Sequence, residues 1–299
     1  MKAVLLMAYG APRNLNEVEE YFTHIRGGRK PTKEEVDELI SRYKAIGKSP
    51  LIEITEAQAK KLQAKIKSLG SETVVFYAMK HSEPFIEKVV DTIVEKGFKE
   101  LLCIVLAPHY SIESVETYFN FVRRKISEKG SQIQVKFVKS WHNNECFIEA
   151  WVSRIREAEK KIGKDYWLLF SAHSLPERIL KMNDPYVDQL LETCRLIANK
   201  IGKKEWSFTF QSAGMTREKW LGPDIIQHLE ELYEKNIRKV LVAPIGFVTD
   251  NLEILYDLDI ECKNWAKNKG IVLERCEMLN DSDLLVNCLV DIVKSYGFL

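Results

Sequence analysis

Residues 167–176 have the sequence WLLFSAHSLP, a continuous apolar run that ends at a histidine and a Ser-Leu-Pro turn. A run without apolar–polar alternation is typical of a strand that is covered on both faces of its sheet. Segments with helical periodicity separate eight such runs, which lie at 3–8, 73–79, 101–107, 133–138, 167–172, 206–210, 240–243 and 271–275. This alternation predicts an α/β fold with parallel sheets flanked by helices.

The chain also contains an internal repeat. The matching pairs of segments are Ala8-Tyr9-Gly10-Ala11-Pro12 with Ala172-His173-Ser174-Leu175-Pro176, and Leu106-Ala107-Pro108 with Val242-Ala243-Pro244. We therefore predict two similar Rossmann-like halves, 1–162 and 163–299, each with a four-stranded parallel sheet. The sequence leaves open whether the last helix packs back on the first half. Because open α/β sheets bind ligands at the carboxyl ends of their strands, Tyr9 and His173 should face each other across a cleft between the halves.

Charge and composition exclude several classes of function. Lys and Arg total 44 against 43 Asp and Glu, so the formal net charge of the 299 residues is +1, which argues against a nucleic-acid partner. No run approaches the roughly 18 apolar residues of a membrane helix, and no export signal is evident, so no membrane insertion is expected. The six cysteines lack metal-knuckle spacing, and we expect buried free thiols in a cytoplasmic protein.

The segment 11–72 separates the first two predicted strands by far more than an ordinary crossover, and we expect it to form the rim of the cleft. It carries a basic cluster that includes Arg26, Arg29, Lys30, Arg42, Lys44 and Lys48. In the same segment, Thr55 and Gln58 have the spacing of a capping box, which predicts a helix that begins after Thr55.

A group of carboxylates follows the strand at 240–243. Asp250, Glu253, Asp257 and Glu261 are spaced by three, four and four residues, which predicts that all four lie on one face of a helix. A solvated acidic face is one interpretation. The position after a strand end favours a second, in which a divalent cation relieves the repulsion between the carboxylates.

His173 is the strongest candidate for proton transfer or metal binding, since its imidazole lies at the carboxyl end of a buried strand. A structural histidine is the alternative. Lys80 and His81 follow another strand, and Trp220 could supply a flat apolar wall, so these are further cleft candidates, with His109 a weaker one. The sequence has no GxGxxG, GxSxG or HExxH motif, which argues against dinucleotide, serine-hydrolase and zincin chemistry.

These features together resemble the ferrochelatases along essentially the whole chain. The motifs that carry the resemblance are Met7–Pro12, Arg42-Tyr43, Ser49-Pro50-Leu51, Lys80–Phe85, Leu106–Ser111, Ser171–Pro176, Gln211-Ser212, Trp220–Pro223 and Gly246–Glu253. The resemblance is greatest to the soluble ferrochelatases of monoderm bacteria, which insert Fe²⁺ into coproporphyrin III with release of two pyrrole protons. Tyr9 and the polar segment Arg26–Lys30 match that type.

The resemblance implies chelatase-type halves with the active site between them, and it implies the following roles. His173 and Glu253 would be the catalytic residues and the Fe²⁺ ligands; Asp257 and Glu261 would bind a second divalent ion such as Mg²⁺; Tyr9, Arg26, Arg42, Tyr43, Ser49 and Tyr118 would contact the porphyrin. Which of His173 and Glu253 takes the pyrrole protons stays open.

The resemblance further implies a monomer with no tightly bound cofactor and no iron–sulfur cluster. Its substrate would be a porphyrin and its product haem, which a downstream haem enzyme would collect in a transient contact. Three alternatives remain: a protoporphyrin IX ferrochelatase, a cobalt or sirohydrochlorin chelatase, and a metal- or ligand-binding protein without turnover.

Overall fold

The computed structural model of the chain describes residues 1–214, 216 and 218–299. Over these residues the chain forms two four-stranded parallel sheets. The first contains β1 (Lys2–Ala8), β2 (Val74–Met79), β3 (Glu100–Val105) and β4 (Gln134–Val138) in the order β2-β1-β3-β4. The second contains β5 (Trp167–His173), β6 (Trp206–Gln211), β7 (Lys239–Ala243) and β8 (Val272–Arg275) in the order β6-β5-β7-β8. The predicted fold class is confirmed, and the equal strand orders confirm the repeat.

Helices connect the strands and cover the sheets. They are α1 (Val18–Ile25), α2 (Lys33–Ile46), α3 (Leu51–Ser68), α4 (Ile86–Glu95), α5 (Val115–Glu128), α6 (Glu145–Ile162), α7 (Tyr186–Ile201), α8 (Ile225–Glu234), a π-helix (Glu253–Cys262) that continues into α9 (Lys263–Lys269), and α10 (Asp283–Ser295). Short 3₁₀ turns span Leu15–Glu17 and Glu177–Met182.

The central strands are buried on both faces, which explains their unbroken apolar sequences. Residues 3–7 of β1 have no exposed surface, and neither do residues 168–170 of β5. Every strand begins and ends within two residues of its predicted bounds. The apolar runs identify the strands because helices cover both faces of each sheet, and a strand covered on both faces lacks the alternation that a half-exposed strand would show.

Two helices cross between the halves. α6 follows β4 in sequence but contacts α7, β7 and β8, while α10 contacts α6 and α3. At the end of the chain, the Thr73 hydroxyl donates a hydrogen bond to the carbonyl of Phe298 (2.6 Å). Each half is therefore partly covered by a helix from the other, and the division at 162 stays a prediction.

The predicted helix start at Thr55 is wrong. α3 begins at Leu51, and the Thr55 hydroxyl donates to the carbonyl of Leu51 (2.7 Å) within the helix. Gln58 is fully buried, and its amide donates to the carbonyl of Asn280 (2.8 Å) and to the hydroxyl of Thr249 (3.2 Å). The polar pair that imitates a capping box therefore lies inside the helix, where Gln58 bonds the second half.

The loop after β7 approaches β5 so closely that only glycine fits at position 246. A Cβ added at Gly246 would lie 2.5 Å from Cβ and 2.8 Å from Cα of Ala172. The Gly246 amide donates to the carbonyl of Ser171 (3.2 Å), which keeps this loop against the end of β5. The same close approach places Phe247 beside His173, the residue that follows Ala172.

We expect Gly246→Ala to lower the free energy of unfolding by about 2 kcal/mol, because the new methyl group overlaps backbone atoms that cannot move freely. Urea denaturation of the variant and wild type measures the loss. Gly222→Ala is the control, since its Cβ would lie 3.8 Å from the nearest atom. Equal losses in both variants would contradict the close approach at position 246.

Candidate active site

The carboxyl ends of the strands bring together most of the chemistry that the sequence singles out. Tyr9 follows β1, Lys80 and His81 follow β2, His173 ends β5, and Ser212 follows β6. Backbone bonds keep the first group together, since the amides of Lys80 and His81 donate to the carbonyls of Ala8 and Tyr9, both at 2.9 Å. Parallel strands place such residues along one edge of each sheet.

The ring of His173 has a defined orientation. Its Nδ1 lies 2.5 Å from the carbonyl oxygen of Ser174, which can only accept a hydrogen bond. Nδ1 therefore carries the proton, and in the neutral ring the lone pair lies on Nε2, where it can accept a proton or bind a metal. The ring is half-buried between Trp220 and Phe247, with ring centroids 6.4 Å and 6.2 Å away.

Trp220 lies beside His173, as the sequence predicts for a cleft candidate. Its indole N–H donates to the hydroxyl of Thr216 (2.8 Å). Gly214 packs against the ring, since a Cβ there would lie 2.4 Å from an indole carbon. The flat face of Trp220 is thereby held next to the imidazole.

Glu253 begins the π-helix, a rare helix type that occurs often at functional sites. The wide turn is evident at its end, where the amide of Lys263 donates to the carbonyl of Leu258, five residues earlier. The prediction that Asp250 shares a helical face with the other carboxylates is wrong, because Asp250 precedes the helix. Its carboxylate accepts from Asn280 (2.7 Å) and lies 3.4 Å from Arg275.

Three tyrosines of the first half have raised pKa values, to which the charge of Glu253 contributes. Burial raises the pKa values of Tyr9 and Tyr43, and the negative charge of Glu253 raises them further. Burial likewise raises the pKa of Tyr118, with smaller increases from Tyr9 and Glu253. Tyr9 follows β1, and Tyr43 and Tyr118 lie on α2 and α5, so all three tyrosines belong to the first half.

Asp257 connects the π-helix to both halves. It is buried, and its carboxylate accepts from the Ser212 hydroxyl and pairs with Arg42 of α2 at 3.4 Å. Burial raises the pKa of Asp257 to about 7; Glu253 raises it as well, whereas Ser212 and Arg42 lower it. Ser212 belongs to the Gln211-Ser212 motif, but the sequence does not predict its contact with Asp257; its position directly after β6 is the feature that could have identified it.

Glu261 lies on the exposed side of the π-helix, and its charge also raises the pKa of Asp257. Across the residues the structure describes, no group of three or more His, Cys, Asp or Glu side chains has the geometry to hold a metal ion. Among the described residues, His173, Glu253, Asp257 and Glu261 therefore do not form such a group. Their roles in metal binding stay predictions.

Three of the residues predicted to contact a porphyrin are buried. Tyr43, Ser49 and Tyr118 are at most 5% exposed. Within the described part of the chain, the Ser49 hydroxyl lacks a hydrogen-bond partner. An unpaired buried hydroxyl has a free-energy cost that a ligand oxygen could relieve, and the role of Ser49 as a porphyrin contact stays a prediction.

The basic cluster of the rim is partly neutralised by acidic neighbours. Arg26 pairs with Glu35 (2.5 Å), Lys48 pairs with Glu53, and Arg42 pairs with Glu38 (3.0 Å) in addition to Asp257. Arg29 and Lys30 are exposed. An anion that binds Arg26, Arg42 or Lys48 would therefore have to displace the carboxylates that these side chains pair with.

Lys80 and His81 have environments that favour their neutral forms. Burial lowers the pKa of Lys80 to about 8, and burial together with Lys80 and His24 lowers the pKa of His81 to about 3. Nδ1 of His24 lies 2.9 Å from Nδ1 of His81, a pairing that the sequence did not reveal. His109 is also buried and bonds Thr193 (2.9 Å), which excludes it from the cleft.

A cavity of about 1020 Å³ adjoins Lys80 and His81. Its other lining residues include Glu20, His24, Thr117 and Arg124, from α1 and α5. His173 and Glu253 do not line this cavity, which we call the side chamber of the first half.

The raised pKa of Asp257 predicts a pH-dependent stability. Between pH 4 and 7 the folded protein holds a proton that the unfolded chain has lost, so stability should fall as pH rises through this window. We expect Asp257→Asn to reduce this fall, by on the order of 1 kcal/mol per pH unit. Urea denaturation in EDTA at several pH values checks it, and equal slopes in both proteins would contradict it.

The sequence was compared with known families and proteins. A family model described as ferrochelatase matches residues 1–296. A coproporphyrin III ferrochelatase of Geobacillus sp. is 41% identical over 298 residues, covering 97% of this chain and 96% of the relative. One from Halalkalibacterium halodurans is 42% identical over 297 residues with the same coverage, and a ferrochelatase of Herpetosiphon aurantiacus is 41% identical over 297 residues, covering 97% of both chains.

Solved structures agree on the fold. The cobalt complex of the sirohydrochlorin chelatase SirB from Bacillus subtilis subspecies spizizenii has a TM-score of 0.59 and 14% identity, covering 99% of this chain and 95% of its own. CbiX, described as the terminal enzyme of sirohaem biosynthesis in denitrifying bacteria, has a TM-score of 0.60 and 11% identity, covering 98% and 99%. Among the described residues, no helix is both long and apolar enough to cross a membrane. The family match over nearly the whole chain and the full-length relatives above 40% identity identify this chain as a member of the ferrochelatase family.

Proposed function

We propose that this metal chelatase inserts Fe²⁺ into coproporphyrin III in the cleft between its two halves. The observation that carries the proposal is the contact between Arg42 of the rim helix α2 and Asp257 (3.4 Å), which brings the first half against the π-helix that begins at Glu253. A flat macrocycle between these walls would have His173 on one face and Tyr9 on the other. The relatives named as coproporphyrin III ferrochelatases support the choice of porphyrin.

Metal insertion requires that one Fe²⁺ enters the macrocycle and that two pyrrole N–H protons leave it. The Nε2 lone pair of His173 can accept one proton or bind the incoming metal, because Nδ1 is committed to the Ser174 carbonyl. The carboxylate of Glu253 can perform the complementary role from the start of the π-helix. The group that accepts the first proton must release it to solvent before it accepts the second. Fe²⁺ is the substrate, and the order of the two roles stays open.

Coproporphyrin carries four propionates, and the basic side chains of the rim would bind them. Arg26 and Arg42 would exchange Glu35 and Asp257 for propionates, while Arg29 and Lys30 are exposed at the same rim. The hydroxyls of Tyr43, Ser49 and Tyr118 would complete the contacts. A substrate with four carboxylates can displace several internal ion pairs at once, whereas a single carboxylate gains little from displacing one.

Asp257 and Glu261 are proposed to bind a second divalent ion such as Mg²⁺. A cation beside Asp257 would stabilise its ionised form and compete with Arg42, which would leave the guanidinium free for a propionate. The proposal includes no iron–sulfur cluster and no tightly bound cofactor.

The free cysteines of the described chain, five of them buried, support a reducing compartment, and we propose a cytoplasmic location on that basis. A monomeric state and a transient contact with a downstream haem enzyme that takes the product stay predictions.

We expect His173→Ala to lower the rate of metalloporphyrin formation by at least about 100-fold, because it removes the proton acceptor and metal contact. Anaerobic absorbance assays with Fe²⁺ or Zn²⁺ and coproporphyrin III measure the rate. His228→Ala is the matched control, since His228 lies on α8 and bonds Ser207. Turnover that is unchanged in His173→Ala would overturn the site, and stoichiometric binding without turnover would favour a binding protein.

Substrate preference tests the proposed porphyrin separately. We expect kcat/KM for coproporphyrin III to exceed that for protoporphyrin IX by at least about tenfold, because each lost propionate leaves a charge-assisted hydrogen bond unmade. Parallel assays with both porphyrins and with sirohydrochlorin provide the comparison. A preference for protoporphyrin IX or sirohydrochlorin would refute the substrate while leaving the chelatase activity intact.

A further inference from the structure

The peptide unit that joins His173 to Ser174 is held at both of its polar groups. The amide of Ser174 donates to the carbonyl of Gln211 (2.7 Å), and the carbonyl of His173 accepts from the hydroxyl of Tyr186 (2.9 Å). Tyr186 is buried at the start of α7, so its hydroxyl is fixed in position. Rotation of this peptide would break both hydrogen bonds.

The same peptide determines where the imidazole points. Nδ1 of His173 donates to the carbonyl of Ser174, the next carbonyl along the chain. If the preceding peptide turned, the Ser174 carbonyl would move and the ring would lose the partner that keeps its lone pair on Nε2. Tyr186 therefore acts on the tautomer and direction of His173 without contacting its ring nitrogens.

Asp184 connects Tyr186 to the first half of the chain. Its Oδ1 accepts from the Tyr186 amide (2.9 Å), and its Oδ2 accepts from the Ser111 hydroxyl (2.9 Å) and the Ile112 amide (2.7 Å). Asp184 is 8% exposed and Ser111 is fully buried. Three donors around one carboxylate form a rigid link between the loop after β3 and the start of α7.

Ser111 also organises the start of α5, the helix that carries Tyr118. Its carbonyl accepts from the amides of Ser114 (3.2 Å) and Glu116 (3.1 Å). Thr117 of this helix accepts a hydrogen bond from Lys80 (2.8 Å). The loop that Asp184 bonds therefore leads directly into the helix that carries Thr117 and Tyr118.

We propose that Tyr186 is a positioning residue for His173, and that Asp184 couples this position to the wall formed by the first half. The inference rests on the proposed function and deepens it. Insertion requires His173 at a defined place relative to the macrocycle. The link from Ser111 through Asp184 and Tyr186 determines that place, and its hydrogen bonds also join the two halves. The Tyr186 hydroxyl bonds the backbone of His173 and none of the side chains predicted to contact the porphyrin.

The test removes one hydroxyl at a time. Tyr186→Phe should lower kcat about tenfold while the KM for coproporphyrin III stays within about twofold, because a positioning bond is lost and substrate contacts remain. Tyr166→Phe is the matched control, since its buried hydroxyl donates to Glu159 (2.7 Å) on α6, and it should keep wild-type values.

The order of the link gives a second prediction within the same experiment. Ser111→Ala should lower kcat in the wild type but should lower it no further in Tyr186→Phe, because its effect on His173 passes through Tyr186. Thermal denaturation of each variant separates this effect from a loss of stability. Wild-type kcat in Tyr186→Phe, or an equal fall on adding Ser111→Ala in both backgrounds, would overturn the inference.

An NMR measurement on the metal-free full chain keeps the inference testable without turnover. The Nδ1–H resonance of His173, assigned by its absence in His173→Ala, should be sharp in the wild type and in Tyr166→Phe. In Tyr186→Phe it should broaden or shift toward the position of an unbonded imidazole. An unchanged resonance would refute the positioning role. A wild type that inserts no metal would refute the proposed function, whatever the resonance shows.

Discussion

The cleft depends on buried polar groups of one half that form hydrogen bonds with groups of the other half. At one edge, the Asp184 carboxylate accepts hydrogen bonds from the Ser111 hydroxyl and the Ile112 amide. At the other, the Gln58 amide bonds the carbonyl of Asn280. A buried donor or acceptor without a partner costs about 1–3 kcal/mol, so each edge resists separation of the halves. The walls of the site are therefore set by the same contacts that join the two sheets.

Within these walls, opposite charges are paired until a ligand arrives. The acidic π-helix and the basic rim meet at the Arg42–Asp257 pair, and Arg26 pairs with Glu35 nearby. The near-zero net charge of the chain therefore conceals a local basic rim and a local acidic helix, which contact each other through Arg42 and Asp257. Under the proposed function, a polyanionic ring and a divalent cation would together replace these internal pairs with external ones.

The sequence predicts the fold well because its information is local. Each central strand is buried on both faces, so an unbroken apolar run is sufficient to identify it, and a turn after it locates His173. Carboxylates spaced by four residues share a face in α- and π-helices alike, so the pattern identifies Glu253 and Asp257 without revealing the helix type. What the pattern cannot identify is a partner distant in sequence.

Such distant partners account for the errors. Asp250 leaves the acidic face because Arg275 and Asn280 hold it. Gln58 has the spacing of a capping-box residue, but its hydrogen-bond partner Asn280 lies more than two hundred residues away in the sequence. Arg42 matches a position that the resemblance assigns to porphyrin contact. Only the folded structure reveals that its guanidinium already pairs with Asp257.

The central claim is that one cleft, bounded by Tyr9 and by His173 with Glu253, receives the macrocycle. A crystal structure of the chain with metal-free coproporphyrin III tests this most directly. The account predicts the ring between these walls, with Nε2 of His173 directed at the pyrrole nitrogens and propionates in place of Asp257 or Glu35 on the rim arginines. A ring bound instead in the side chamber beside Arg124, away from His173, would contradict it.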